Sequence, residues 1–270
     1  MTSAQSHYQK GHLGAAVAAA AEELRLDPAN TGKRAFYAEL LCLQGAYEKA
    51  DQQLATLLTL DPAAALTVST WRHLVHAAQA RHDVFNAGRA PELIGPATSR
   101  VEKRLEILLA LREEDLRRAA QLAQELEATR PTLAATVNGQ AYEDVRDADD
   151  VCADVLEALA SNGKYFWIEL AQIRELSLQP PQRPLDLLWR RATLFLSNGS
   201  EGEVFLPCTY PTATDDEAAL VGRTTDWLNQ EGLVRGVGQK LWLVGEDALP
   251  LGELHEFTPC RETETAAAAE

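Results

Sequence analysis

The residues of this chain that could do chemistry are its histidines, cysteines and acidic side chains, and their spacing decides whether they do. His73 and His76 lie at i, i+3 with His82 close behind, a spacing that can hold a metal, but no carboxylate is placed to complete the set and ordinary surface histidines account for it. Gly236-Val-Gly238-Gln-Lys-Leu241 begins like a dinucleotide loop, yet Leu241 stands where a third glycine belongs and a strand follows instead of a helix. There is no GxSxG nucleophile elbow, and His255 stands alone in its half of the chain. Cys42, Cys152, Cys208 and Cys260 form no CxxC pair, which argues against a zinc knuckle and a disulfide framework and fits a reducing compartment. These patterns predict no catalytic set, no metal and no cofactor.

One constellation stands out. Asp186, Trp189, Arg223, Asp226, Trp227 and Arg235 alternate charges with large aromatics, either as Arg–Asp pairs that brace loops or as a recognition surface with Trp and Arg anchors. In the bracing version, Asp226 pairs with Arg223 or Arg235 around Trp227. A competing enzyme reading, a hydrolase or nucleotide-binding protein, would put its site near Trp189, Asp226 and Arg235.

The elements that must position these residues fall into two parts, an α+β chain with helical repeats first and a mixed, β-rich region second. Gly45 to Pro62, GAYEKADQQLATLLTLDP, has a degraded copy 34 residues upstream and another 69 residues downstream, ending at Pro28 and Pro131. A 34-residue period of paired helices closed by proline is the tetratricopeptide signature. It puts the small residues Ala16, Ala50 and Ala119 where helices cross. The extra residue of the third copy is assigned to the turn Arg112 to Asp115. If the first helix of each pair lines a concave groove, Thr31 to Leu43 does so here, with Ala35, Glu39 and Cys42 facing a partner helix. Ala141 to Asp150 reads as an acidic approach to a last helix, Val151 to Ala160. Strands follow at Lys164–Ile168, Arg191–Leu196, Glu203–Cys208, Lys240–Val244 and Leu249–His255, with a short helix at Asp215–Val221. The expected division is residues 1–137, 138–260 and a disordered tail, 261–270.

The chain has 46% apolar and 24% charged residues and a net charge of −15, so it can build a core and repels nucleic acid and anionic lipid. No apolar run reaches membrane-spanning length, and no charged leader with an apolar core opens the sequence, which predicts a cytoplasmic protein without membrane contact.

Asp186-Leu-Leu-Trp189, Gly222-Arg-Thr-Thr-Asp-Trp227 and Arg235-Gly-Val-Gly-Gln239, following Asp147-Ala-Asp149 and Gly163-Lys-Tyr-Phe-Trp167, together resemble the ImpE family, also called SciE or TagJ. The likeness runs from the repeats to about residue 257. It implies a cytoplasmic accessory protein of bacterial type VI secretion, not an enzyme, whose partner is the small subunit of the contractile sheath. An indirect tie to the ATPase that recycles sheath is also implied. The motif residues Asp186, Trp189, Arg223, Asp226, Trp227, Arg235 and Gln239 become candidates for partner binding or for bracing the fold, and no catalytic residue is implied.

Overall fold

A computed structural model describes residues 3–260; the expected disordered tail, 261–270, lies outside the described residues. Seven helices come first: α1 (Ala4–Gln9), α2 (Leu13–Leu26), α3 (Thr31–Leu43), α4 (Tyr47–Leu60), α5 (Ala65–Asn86), α6 (Ser99–Arg112) and α7 (Leu116–Ala128). Consecutive helices pack on one another from α1 to α5, and α6 packs on α7. Helices α2 and α4 start and end with the predicted offset of 34 residues, and Ala16, Ala50 and Ala119 are fully buried. Asn30 and Thr98 cap α3 and α6 by accepting the N–H groups of Lys33 and Val101.

The extra residue of the third copy is not in the turn. Glu114, with φ +59°, takes the left-handed position that Gly11 and Gly45 hold at +82° and +74° in the earlier copies, so the turn keeps its length. Instead α6 has 14 residues where α3 has 13.

The strands are β1 (Glu92–Leu93), β2 (Ala135–Val137), β3 (Gln140–Tyr142), β4 (Val145–Asp147), β5 (Val155–Ala160), β6 (Tyr165–Glu169), β7 (Ile173–Leu178), β8 (Trp189–Leu196), β9 (Glu201–Pro207), β10 (Thr225–Gln230), β11 (Leu233–Gly238), β12 (Leu241–Val244), β13 (Asp247–Pro250) and β14 (Glu256–Pro259). Two short helices, α8 (Pro184–Leu188) and α9 (Glu217–Leu220), sit among them. Nine strands form one sheet in the order β1-β6-β5-β9-β8-β7-β14-β2-β3, antiparallel except for β1 with β6. A hairpin β10–β11 and a small sheet β13-β12-β4 complete the set. The expected division after residue 137 falls on the turn of the β2–β3 hairpin.

The predicted last helix, Val151–Ala160, is wrong: its second half is strand β5. The physical reason is double burial. Val155 and Leu159 join the core shared with the helices, while Leu156 and Ala158 join a second core on the other face of the sheet. A strand covered on both faces loses the apolar–polar alternation that separates strand from helix in a sequence. Among the described residues, no helix is long and apolar enough to cross a membrane.

Candidate functional site

The inner helices α3 and α5 do not face an open groove; they face the sheet and α8. Cys42 and Glu39 are buried and Ala35 is half-buried. Leu185 and Leu188 of α8 enter the same core as α3, and the Arg183 guanidinium lies 5.4 Å from the Trp71 ring centre and 4.0 Å from the Glu39 carboxylate. Burial pushes the Glu39 carboxyl and the Cys42 thiol upward. The predicted concave site is therefore filled by the chain's own second half, a correction to the expectation for Ala35, Glu39 and Cys42.

Behind that contact lies a buried charge network that joins the helices to the sheet. Arg81 of α5 donates to both carboxylate oxygens of Glu157 on β5, at 2.7 and 3.0 Å, and to the Thr209 carbonyl at 2.8 Å. The Tyr165 hydroxyl donates to Glu157 at 2.5 Å and accepts from the Trp167 indole at 2.6 Å. Lys240 contacts the other Glu157 oxygen and also Asp147, the latter at 3.0 Å. Burial by itself would raise the Glu157 carboxyl, but Arg81 and Lys240 outweigh it and hold the group well below the usual range. Burial, helped by the neighbouring Asp149 charge, outweighs Lys240 and the Asp149 N–H and pushes Asp147 up to about 6. A second clasp joins Arg104 and Arg100 of α6 to Asp154, at 2.5 and 2.6 Å.

The motif residues divide into braces and surface. Trp189 is buried with its ring 6.4 Å from that of Tyr47, and Asp186 accepts the N–H groups of Gln182 and Arg183 at the start of α8. Arg223 reaches α1, donating to the Tyr8 carbonyl and lying over its ring at 5.9 Å. Arg235 sits 3.8 Å from the buried Asp149. Half-buried Gln239 closes the hairpin base, its N–H donating to the Thr224 carbonyl at 2.8 Å. Asp226 joins neither arginine: it is exposed, and its carboxylate accepts the Trp227 N–H at 2.8 Å. The predicted Asp226 ion pair is thus overturned, because Asp226 holds the Trp227 N–H while Arg223 reaches the Tyr8 carbonyl and Arg235 lies beside Asp149.

Two glycines of the motif are required by close approach. A Cβ at Gly236 would stand 2.1 Å from the Tyr210 ring, and one at Gly238, with φ +83°, would stand 2.2 Å from the Thr224 carbonyl. Tyr210 packs between Gly236, Trp227 and Lys240, so the glycine motif shapes a seat for an aromatic ring.

Chemically, each residue of the enzyme reading is engaged separately, Trp189 with Tyr47, Asp226 with the Trp227 N–H and Arg235 with Asp149. His73, His76 and His82 disperse to separate partners, Ser161, Asp51 and Asp83. Among the described residues no three His, Cys, Asp or Glu side chains come together as metal ligands would. Beside larger and more polar openings, one near Trp71, Arg183 and Glu203 and one near Cys42, Arg81 and Tyr210, an apolar cleft of about 180 Å³ lies on the sheet face away from the helices, lined by Ala158, Phe166, Ile168, Leu194, Leu196 and Val204.

The family model described as ImpE protein matches residues 139–258, the stretch that carries the braces and the cleft. The crystal structure of a protein from Vibrio parahaemolyticus superposes with a TM-score of 0.91 at 30% identity, covering 97% of this chain and 99% of that one. The chain belongs to the ImpE family. It is also similar to the type VI secretion system accessory component TagJ of Pseudomonas aeruginosa, 29% identical over 256 residues that span 94% of this chain and 90% of that protein.

In this ImpE protein the residues that sequence reasoning missed are Arg81, Glu157, Lys240, Arg104 and Asp154. Arg81 and Glu157 are 76 residues apart, and Lys240 is 83 from Glu157, so no local spacing announces them. The one available signal was a charged residue inside an otherwise apolar run, Glu157 in Val-Leu-Glu-Ala-Leu-Ala.

Proposed function

We propose that this chain is a non-catalytic accessory component of type VI secretion, an adaptor in the cytoplasm that receives a helical segment of the small contractile-sheath subunit. By that contact it modulates sheath assembly or recycling, with an indirect link to the recycling ATPase. The support from sequence likeness is the name of the Pseudomonas relative. The observation that carries the docking is the apolar cleft of about 180 Å³ on the outer sheet face, because the inner helix face is already spent on the sheet. An amphipathic helix lays apolar anchors at i, i+3, i+4 and i+7 into such a surface, and a few buried contacts set its affinity.

Gly202 gives a clean test. It is exposed and lines the cleft, and a Cβ there meets nothing within 4 Å, so Gly202→Glu should place a charge at the cleft with the fold kept. Calorimetric titration of a sheath-subunit helix peptide should give binding to the intact chain. The variant should bind at least about tenfold more weakly, a loss of about 1.4 kcal/mol, with unchanged melting. No heat under conditions where the peptide is helical refutes the adaptor reading; equal binding by the variant refutes the cleft.

A further inference from the structure

The β10–β11 hairpin has one edge committed and one edge open. On the β11 side, Asp150 N–H donates to the Val234 carbonyl at 3.0 Å, Val234 N–H to the Asp150 carboxylate at 2.7 Å and Gly236 N–H to the Asp149 carboxylate at 3.0 Å. The strands turn through Glu231 and Gly232 at φ +55° and +95°, a two-residue turn in which Gln230 and Leu233 form the hydrogen-bonded pair. By antiparallel alternation the backbone groups of Leu228 and Asp226 then point to β11, and those of Thr225, Trp227 and Asn229 point outward. The Trp227 N–H is met by the adjacent Asp226 carboxylate at 2.8 Å, and among the described residues no backbone group pairs with this outer edge.

Folded proteins protect such edges with lysine, proline or a bulge. Lysine, proline and a bulge are absent from Thr-Asp-Trp-Leu-Asn-Gln, its one charge, Asp226, covers only the Trp227 N–H, and Trp227 and Leu228 are 39% and 40% exposed. We propose that the outer edge of β10 is a docking site for an extended segment of another protein, rich in lysine or arginine and β-branched residues, which adds as a third strand. The charge selects this occupant. Asp226 lies on the edge strand, Glu231 at its turn is shared with Arg117 at 3.8 Å, Arg235 lies beside Asp149, and the whole chain carries −15, so a second copy would set like charges against like. A basic segment meets the opposite condition and frees Trp227 N–H from Asp226 to join the new ladder. This inference stands whatever fills the apolar cleft.

The probe is a synthetic heptapeptide, acetyl-Lys-Val-Thr-Val-Lys-Val-Thr-amide, added to the full chain and followed by amide hydrogen exchange. Exchange should slow at Thr225, Trp227 and Asn229, whose N–H groups point outward, and the effect should weaken with salt. The same peptide with glutamate for lysine should bind about tenfold more weakly or worse, and one with alternate N-methylated amides should give no protection. Asn229→Pro, which removes an outward N–H, should abolish protection; the N-methylated peptide makes the same test if that variant fails to fold. No slowing by the basic peptide overturns the proposal, as does equal slowing by the glutamate or N-methylated peptide. Protection of 225–230 that rises with protein concentration without peptide would assign the edge to a second copy and also overturn it.

Discussion

The Glu217 carboxylate accepts the Gly14 N–H at 2.6 Å, and its second oxygen accepts the Leu13 N–H at 3.0 Å. A residue of α9 thereby caps α2, whose own N-cap residue, His12, supplies no side-chain bond. Glu217→Ala should lower the unfolding free energy by about 1–2 kcal/mol in urea titration, the usual cost of a lost N-cap. No change would mean that water serves the two amides equally well.

Glu157→Gln should cost about 3–5 kcal/mol, since it leaves Arg81 and Lys240 buried without their shared anion. The sign with pH follows from the depressed folded pKa. The ionised carboxylate contributes stability above the ordinary glutamate range, and the contribution is lost as pH falls toward the folded value. Urea midpoints between pH 5 and 3 should therefore fall more steeply for the wild type than for the variant.

Asp147 acts in the opposite direction. Its folded pKa, pushed up to about 6, exceeds the unfolded value, so its contribution is complete below about pH 4 and is lost as pH rises through 6. The loss, complete by pH 7, is roughly 3 kcal/mol. Asp147→Asn should remove the gain in stability that the wild type shows between pH 7 and 5; a variant that keeps the gain would place the titrating group elsewhere.

How much of this was legible beforehand depended on whether one element's periodicity was enough. Repeats α2 and α4 were readable because Ala16 and Ala50, and the Asp-Pro pairs beyond them, repeat in register whatever surrounds them. Strand β5 was not, because its pattern is set by two different cores. The hairpin β10–β11 was read as loops, since exposure keeps β10 polar and the Tyr210 ring forces glycine into β11. The site was least legible: whether Glu39 and Cys42 face solvent depends on α8, more than 140 residues later.

Ala50→Leu should destabilise by about 1–3 kcal/mol, because Ala50 is fully buried between packed helices and has no room for added methylenes. Thermal unfolding that matches the wild type would remove the crossing from that position.

Gly236→Ala should force the Tyr210 ring from its seat. Trp227, tilted against that ring at 5.9 Å, would then be more solvated, so its fluorescence should shift to the red alongside a lower melting temperature. An unshifted spectrum would show that the ring has another way to yield.

Strand β14 (Glu256–Pro259) lies between β7 and β2, inside the sheet. During synthesis the seven helices emerge long before the strand that closes this gap. At common translation rates, roughly 6–26 s separate residue 128 from residue 256. The α5 face and the Arg81 guanidinium stay uncovered until β5 and β6 follow, and the α3 face until α8 does. The helical half made alone should therefore be prone to aggregate.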